Sequence, residues 1–200
     1  MARFASHKDI EAIESEMPWE QRDVAATMYQ FLNRTADRFG DRPAITFQMF
    51  SDDGAKAETL TWRSFLERVT QAANLFRKLG VGETDVVAYI LPNCHETAIT
   101  LIAGTIAGIA CPINPLLEPE QISSILRETG AKVVVTLRSF PKTDVAQKVA
   151  EAVGHAPNVR TVLEVDLLRY LSPPKSWIVP LVRPKNPTSH TAKVMAFSKH

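Results

Sequence analysis

Val86-Val-Ala-Tyr-Ile-Leu-Pro-Asn93 is an apolar run closed by a turn pair, and Lys132-Val-Val-Val-Thr-Leu137 repeats the form later in the chain. Short runs rich in β-branched residues and bounded by turn residues read as strands buried on both faces of a sheet. The stretches around them have helical spacing. Residues 96–109 read as an apolar helix packed on the first strand, and Pro119 starts a helix through Glu128 that Gly130 ends. A third helix covers residues 143–153, closed by Gly154. Cys111-Pro-Ile-Asn-Pro115 reads as a short strand leaving into a rigid turn, and residues 159–165 as another strand. Strands and helices alternating over short connections require right-handed crossovers, hence a parallel sheet covered on both sides. The predicted fold class is α/β, a mostly parallel doubly wound sheet with helices on both faces.

Working upstream, Thr27 is an N-cap candidate for an amphipathic helix over residues 27–39. Ile45, Phe47 and Met49 then alternate with polar residues, Asp53-Gly54 supplies a turn, and Leu60 and Trp62 resume the alternation, which predicts a hairpin. Ser64 and Glu67 have capping-box spacing, and Phe65, Val69, Ala72, Ala73, Phe76 and Leu79 follow at helical intervals before Gly80. A helix and a β-hairpin thus precede the main sheet. Downstream, five prolines (173, 174, 180, 184 and 187) exclude regular structure by pattern alone. The expected division is an N-terminal extension (1–26), an α/β subdomain (27–171) and a Pro-rich basic linker or tail (172–200).

The chain has 200 residues, 45% apolar and 22% charged, which is enough to bury a core without staples. Its formal charge of +1 supplies no field for nucleic acid. The charge is nevertheless uneven. Residues 170–200 hold five bases and no acid, against 18 bases and 22 acids in the rest. That tail is expected to pack poorly or to rely on contacts with another molecule. Residues 1–17 mix acids and bases without the apolar run of a signal peptide, so a cytoplasmic location is expected.

Several features invite sharper readings. Residues 97–117 carry no charge and include Gly104 and Gly108, but Pro112 and Pro115 leave too short a run for a transmembrane helix, so a helix packed closely on a sheet is expected. Cys94 and Cys111 form no CxxC motif. His95 adjoins Cys94 at the end of a strand, yet neighbours in sequence point apart, and His95 reads as packing at a helix start rather than as the base of a Cys-His couple. His7, His155, His190 and His200 are isolated and suggest no metal. Thr188-Ser-His-Thr-Ala-Lys193 has the polar side chains of a phosphate loop without its glycines and reads as a linker. No GxGxxG or GxxxxGK[ST] is present.

Gly80-Val-Gly-Glu-Thr-Asp-Val-Val-Ala-Tyr-Ile-Leu-Pro-Asn93, Ala107-Gly-Ile-Ala-Cys-Pro-Ile-Asn-Pro115 and Glu120-Gln-Ile-Ser-Ser-Ile-Leu-Arg-Glu-Thr-Gly-Ala-Lys-Val-Val-Val135 together resemble the N-terminal part of AMP-forming acyl-CoA synthetases, members of the adenylate-forming superfamily. Ala36-Asp-Arg-Phe-Gly-Asp-Arg-Pro-Ala-Ile45 and Leu60-Thr-Trp62 are similar to that family's opening segment in order and spacing. The resemblance implies an incomplete N-terminal domain of the adenylate-forming fold. It also implies a ligase in which a carboxylic (fatty) acid attacks ATP to give acyl-adenylate and pyrophosphate, and the CoA thiol then displaces AMP. ATP, CoA and Mg would serve the complete enzyme, and none is expected for this chain alone. The phosphate loop and the mobile C-terminal domain of the family lie beyond the matched segments, so no catalytic, cofactor-binding or metal-binding residue is carried over to any position. The expectation is an N-terminal fragment, inactive alone, whose partner is the remaining part of the synthetase. The alternative is a non-catalytic module that pairs through its exposed sheet edge, with itself as a homo-oligomer or with a complete synthetase. A third reading, a small nucleotide-binding protein of flavodoxin-like topology, is discouraged by the missing phosphate loop.

Overall fold

A computed structural model describes residues 5–51, 56–185 and 190–197. Helix α1 (His7–Glu16) and a 3₁₀ turn (Trp19–Gln21) lead into α2 (Met28–Phe39), capped by Thr27 as its side chain accepts from the Gln30 N–H. Strands β1 (Pro43–Gln48) and β2 (Ala57–Thr61) pair antiparallel as the hairpin, whose expected Asp53-Gly54 turn lies outside the described residues. The next helix, α3 (Trp62–Lys78), begins earlier than the Ser64–Glu67 spacing predicts. Thr61 caps it by accepting from the Ser64 N–H at 3.2 Å, so Ser64 lies inside the first turn.

The main sheet is built from β3 (Val86–Ile90), β4 (Ile109–Pro112), β5 (Val133–Leu137), β6 (Thr161–Val165) and β7 (Lys193–Ala196), all parallel, in the order β4-β3-β5-β6-β7. Helices α4 (His95–Ala107), α5 (Pro119–Thr129) and α6 (Val145–Gly154) make the crossovers. The chain runs outward from β3 to β4, then returns past β3 to β5. With right-handed crossovers this reversal puts α4, packed with α3, on one face and α5 with α6 on the other. Every residue of β3 and β5 is buried, which is why those strands read as unbroken apolar runs.

The uncharged segment is a sheet-covering helix. A Cβ on Gly108 would lie 2.4 Å from the Asp85 carbonyl oxygen and 2.6 Å from that of Gly82, so only glycine lets α4 turn into β4 at this distance. Among the described residues no helix is long and apolar enough to cross a membrane.

The tail departs from expectation. Its prolines crowd the connection, but Lys193–Ala196 is proline-free and pairs with β6 as the fifth strand, starting with the Lys193 N–H donating to the Arg160 carbonyl at 2.9 Å. Before it, α7 (Lys175–Val182) forms despite Pro180, at the cost of one intrahelical bond. The basic charge also has an intrachain partner. Arg183 grips the Asp166 carboxylate with both terminal nitrogens, at 2.9 and 2.7 Å. Burial opposes ionisation of Asp166, but the Arg183 hydrogen bond and the Leu168 N–H outweigh it and hold the carboxyl below its ordinary range.

Candidate functional site

In an open parallel sheet, ligands sit beyond the C-terminal ends of the strands where the winding reverses, here beyond β3 and β5. The side chains gathered near that position come from three elements distant in sequence. His95, the first residue of α4, is fully buried, with Phe47 of β1 and Tyr170 edge-on to its ring at centroid distances of 6.1 and 5.8 Å. Its Nδ1 lies 3.7 Å from Glu58 Oε1, beyond hydrogen-bonding distance, and among the described residues neither ring nitrogen has a hydrogen-bond partner.

Glu96, one residue further along α4, is buried and accepts from Tyr170 Oη at 2.6 Å and from Arg169 Nη1 at 2.8 Å. Arg169 and Tyr170 belong to the 3₁₀ turn Leu167–Tyr170 that follows β6. The other arm of the Arg169 guanidinium pairs with Glu58 of β2, and the guanidinium also lies 4.9 Å from the Tyr170 ring centroid. Hairpin, helix and turn are thereby tied at one part-buried point. Burial foremost, then the Glu96 carboxylate, push the Tyr170 hydroxyl well above its ordinary range and keep it a donor.

These groups decide what the sheet mouth can hold. A helix N-terminus attracts anions through its free amides and its dipole. Beside the start of α4 stand the carboxylates of Glu58 and Glu96, with the Arg169 guanidinium between them. A nucleotide phosphate brought here would meet two like charges. The adjoining cleft, walled by Arg68, Leu75, Ile99 and Phe197 beside Glu96 and Arg169, encloses about 50 Å³, room for water and not for a nucleotide. Among the described residues no three of His, Cys, Asp and Glu converge as a metal site. The charge at this mouth therefore does not complement a phosphate.

Cys94 and His95 do not form a nucleophile and base. The Cys94 sulfur lies 3.3 Å from Thr97 Oγ1, and burial pushes its thiol up to about 11 despite that contact. A thiol held in that state supplies little thiolate at neutral pH. The helix-start reading of His95 agrees with its position. Of the Ser/Thr/Lys cluster, Thr188 and Ser189 lie outside the described residues, while Lys193 opens β7. The sequence reading missed Glu58, Glu96, Arg169 and Tyr170. The nearest signal was Glu96 itself, the single acid between Asp85 and Glu118, set at the start of an apolar helix.

The chain is 32% identical over 143 residues to an acetyl-coenzyme A synthetase of Sodalis glossinidius, a match covering 69% of this chain and 22% of the relative. It is 30% identical over 147 residues to a marinolic acid–CoA ligase of Pseudoalteromonas, covering 74% and 22%. A long-chain-fatty-acid–CoA ligase of Bacillus subtilis is 28% identical over 171 residues, covering 84% and 28%. The chain thus spans between a fifth and three tenths of the length of these relatives. Among solved structures, a Rhodopseudomonas palustris protein named for long-chain-fatty-acid CoA ligase superposes with a TM-score of 0.58 at 25% identity, over 74% of this chain and 37% of that one. The family model of AMP-binding enzymes matches residues 32–195, from within α2 into β7. The chain belongs to the AMP-binding enzyme family.

Proposed function

We propose that this chain supplies the N-terminal α/β scaffold of an ATP-dependent acyl-CoA synthetase and carries out none of the chemistry alone. In this reading α4 backs the acyl pocket, and the rest of the synthetase supplies the phosphate loop, the Mg-ATP site and the CoA site. A carboxylic acid, by the names of the relatives anything from acetate to a long-chain fatty acid, is the substrate of the whole enzyme. Residues 1–26 form an extension, 27–171 the scaffold, and 172–200 a connecting tail that also donates β7. Cytoplasm is the expected location. The observation that carries the reading is the match over residues 32–195 on a sheet whose mouth carries the pairing of Glu58 and Glu96 with Arg169.

The test is ATP–pyrophosphate exchange by the purified chain with carboxylic acids from acetate to palmitate. No exchange above the blank is expected. Turnover at the ~1 s⁻¹ or faster that is ordinary for enzymes would overturn the reading. A second reading, an interaction module that pairs through its sheet edge, is favoured by β7, which among the described residues pairs on one side with β6 and has Val194 half-exposed.

A further inference from the structure

Among the described residues two helices leave apolar faces uncovered. Helix α1 has a capping box in which the Ser6 side chain accepts from the Asp9 N–H and Asp9 accepts from the Ser6 N–H, but it buries no residue. At 100° per residue Ile10 and Ile13 fall on one stripe, and Met17, the extended residue that ends the helix, follows them. Asp9 and Glu16 flank that stripe on one side and Glu14 on the other. The segment is strongly acidic, with six acids and one base from Asp9 to Asp23. The second helix, α7, also buries no residue. Trp177, Ile178, Leu181 and Val182 share an arc of its surface, and Trp177 is 70% and Leu181 84% exposed. Lys175 opens the helix and Lys185 follows it, in a segment with no acid after Asp166. A contiguous apolar face of this kind on a folded protein marks an interaction site.

We propose that α7 of one copy receives α1 of a second copy, the Ile10 and Ile13 stripe and the Met17 that follows it lying on the Trp177 and Leu181 face with the acidic flanks beside Lys175 and Lys185. The two surfaces differ in charge as the two sides of one interface must. Each chain carries one donor helix and one acceptor face, so a two-fold axis closes the exchange with two equal contacts and doubles the buried area. An anionic membrane is a poorer occupant. Asp166 already neutralises Arg183, and the acidic arm is repelled by anionic lipid.

Sedimentation velocity of the full chain is expected to show a monomer–dimer equilibrium with a dissociation constant on the order of 10 μM, weakened by salt. Leu181→Glu weakens it by about tenfold or more, with the far-UV circular dichroism unchanged because the side chain is exposed. Lys175→Glu with Lys185→Glu also weakens the dimer, and adding Glu14→Lys with Glu16→Lys restores it. A wild-type chain that stays monomeric overturns the proposal, as does a dimer indifferent to both the Leu181 and the lysine changes. Binding of the monomer to phosphatidylserine vesicles that Leu181→Glu abolishes would assign α7 to lipid and overturn it too.

Discussion

Tyr170 donates its hydroxyl to the buried Glu96 carboxylate at 2.6 Å across 74 residues of sequence. This contact joins the turn after β6 to the start of α4, and Arg169 extends it to the hairpin through Glu58. A hydrogen bond to a charged acceptor out of water contributes about 1.5–3 kcal/mol. Tyr170→Phe is therefore expected to lower unfolding free energy by about 2 kcal/mol in urea titration. Glu96→Gln removes the charge that Arg169 faces and should cost about 3 kcal/mol, since breaking one side of a buried pair strands the other. Neither change reducing the urea midpoint would show that the cluster is not what holds the hairpin to the sheet.

Acid stability follows from Asp166. Its folded pKa lies below the ordinary aspartate value, so its contribution is complete above about pH 4 and is lost as pH falls through the folded value. The melting temperature of the wild type should fall on acidification in that window. Asp166→Asn should start lower at pH 7 and show a shallower acid limb. Equal acid limbs would remove the Arg183 pairing as the source.

Thiol chemistry separates the two cysteines. Cys94 is buried with its thiol pushed up to about 11, whereas Cys111 is raised by burial but remains partly exposed. Iodoacetamide at pH 8 should label Cys111 first and reach Cys94 on unfolding, as read by peptide mass spectrometry. Labelling of Cys94 ahead of Cys111 in the folded chain would contradict its environment.

The glycines of α4 give a graded pair. A Cβ on Gly108 meets two backbone oxygens that cannot yield, so Gly108→Ala should destabilise by about 3 kcal/mol. A Cβ on Gly104 meets the Ala110 Cβ at 3.1 Å, and Gly104→Ala should cost about 1 kcal/mol. Chemical denaturation with the order reversed would mean that α4 is not seated against β3 and β4 as described.

The sheet was readable wherever burial writes itself into local pattern. Val86–Ile90 and Val133–Leu137 are apolar throughout because both of their faces are covered, and Thr27 sits one residue before the helix it caps. The Ser64–Glu67 spacing misled because Thr61, at the end of a strand, supplies the cap first. Strand β7 was hidden because four residues after a proline-rich connection carry almost no periodicity, and its pairing with β6 is decided by an edge more than thirty residues away. The cluster at the sheet mouth left no pattern either. Glu58, Glu96 and Arg169 each look like a solvated charge until the fold removes the water between them.

Calorimetric titration of the chain with Mg-ATP, followed by amide chemical shifts, tests the central claim most directly. With Glu58 and Glu96 at the α4 N-terminus, the account predicts no saturable heat up to about 1 mM nucleotide and no shifts confined to residues 91–96 and 138–144. Saturable binding in the micromolar range, with shifts at those two loops, would contradict it and make the mouth of this sheet a nucleotide site.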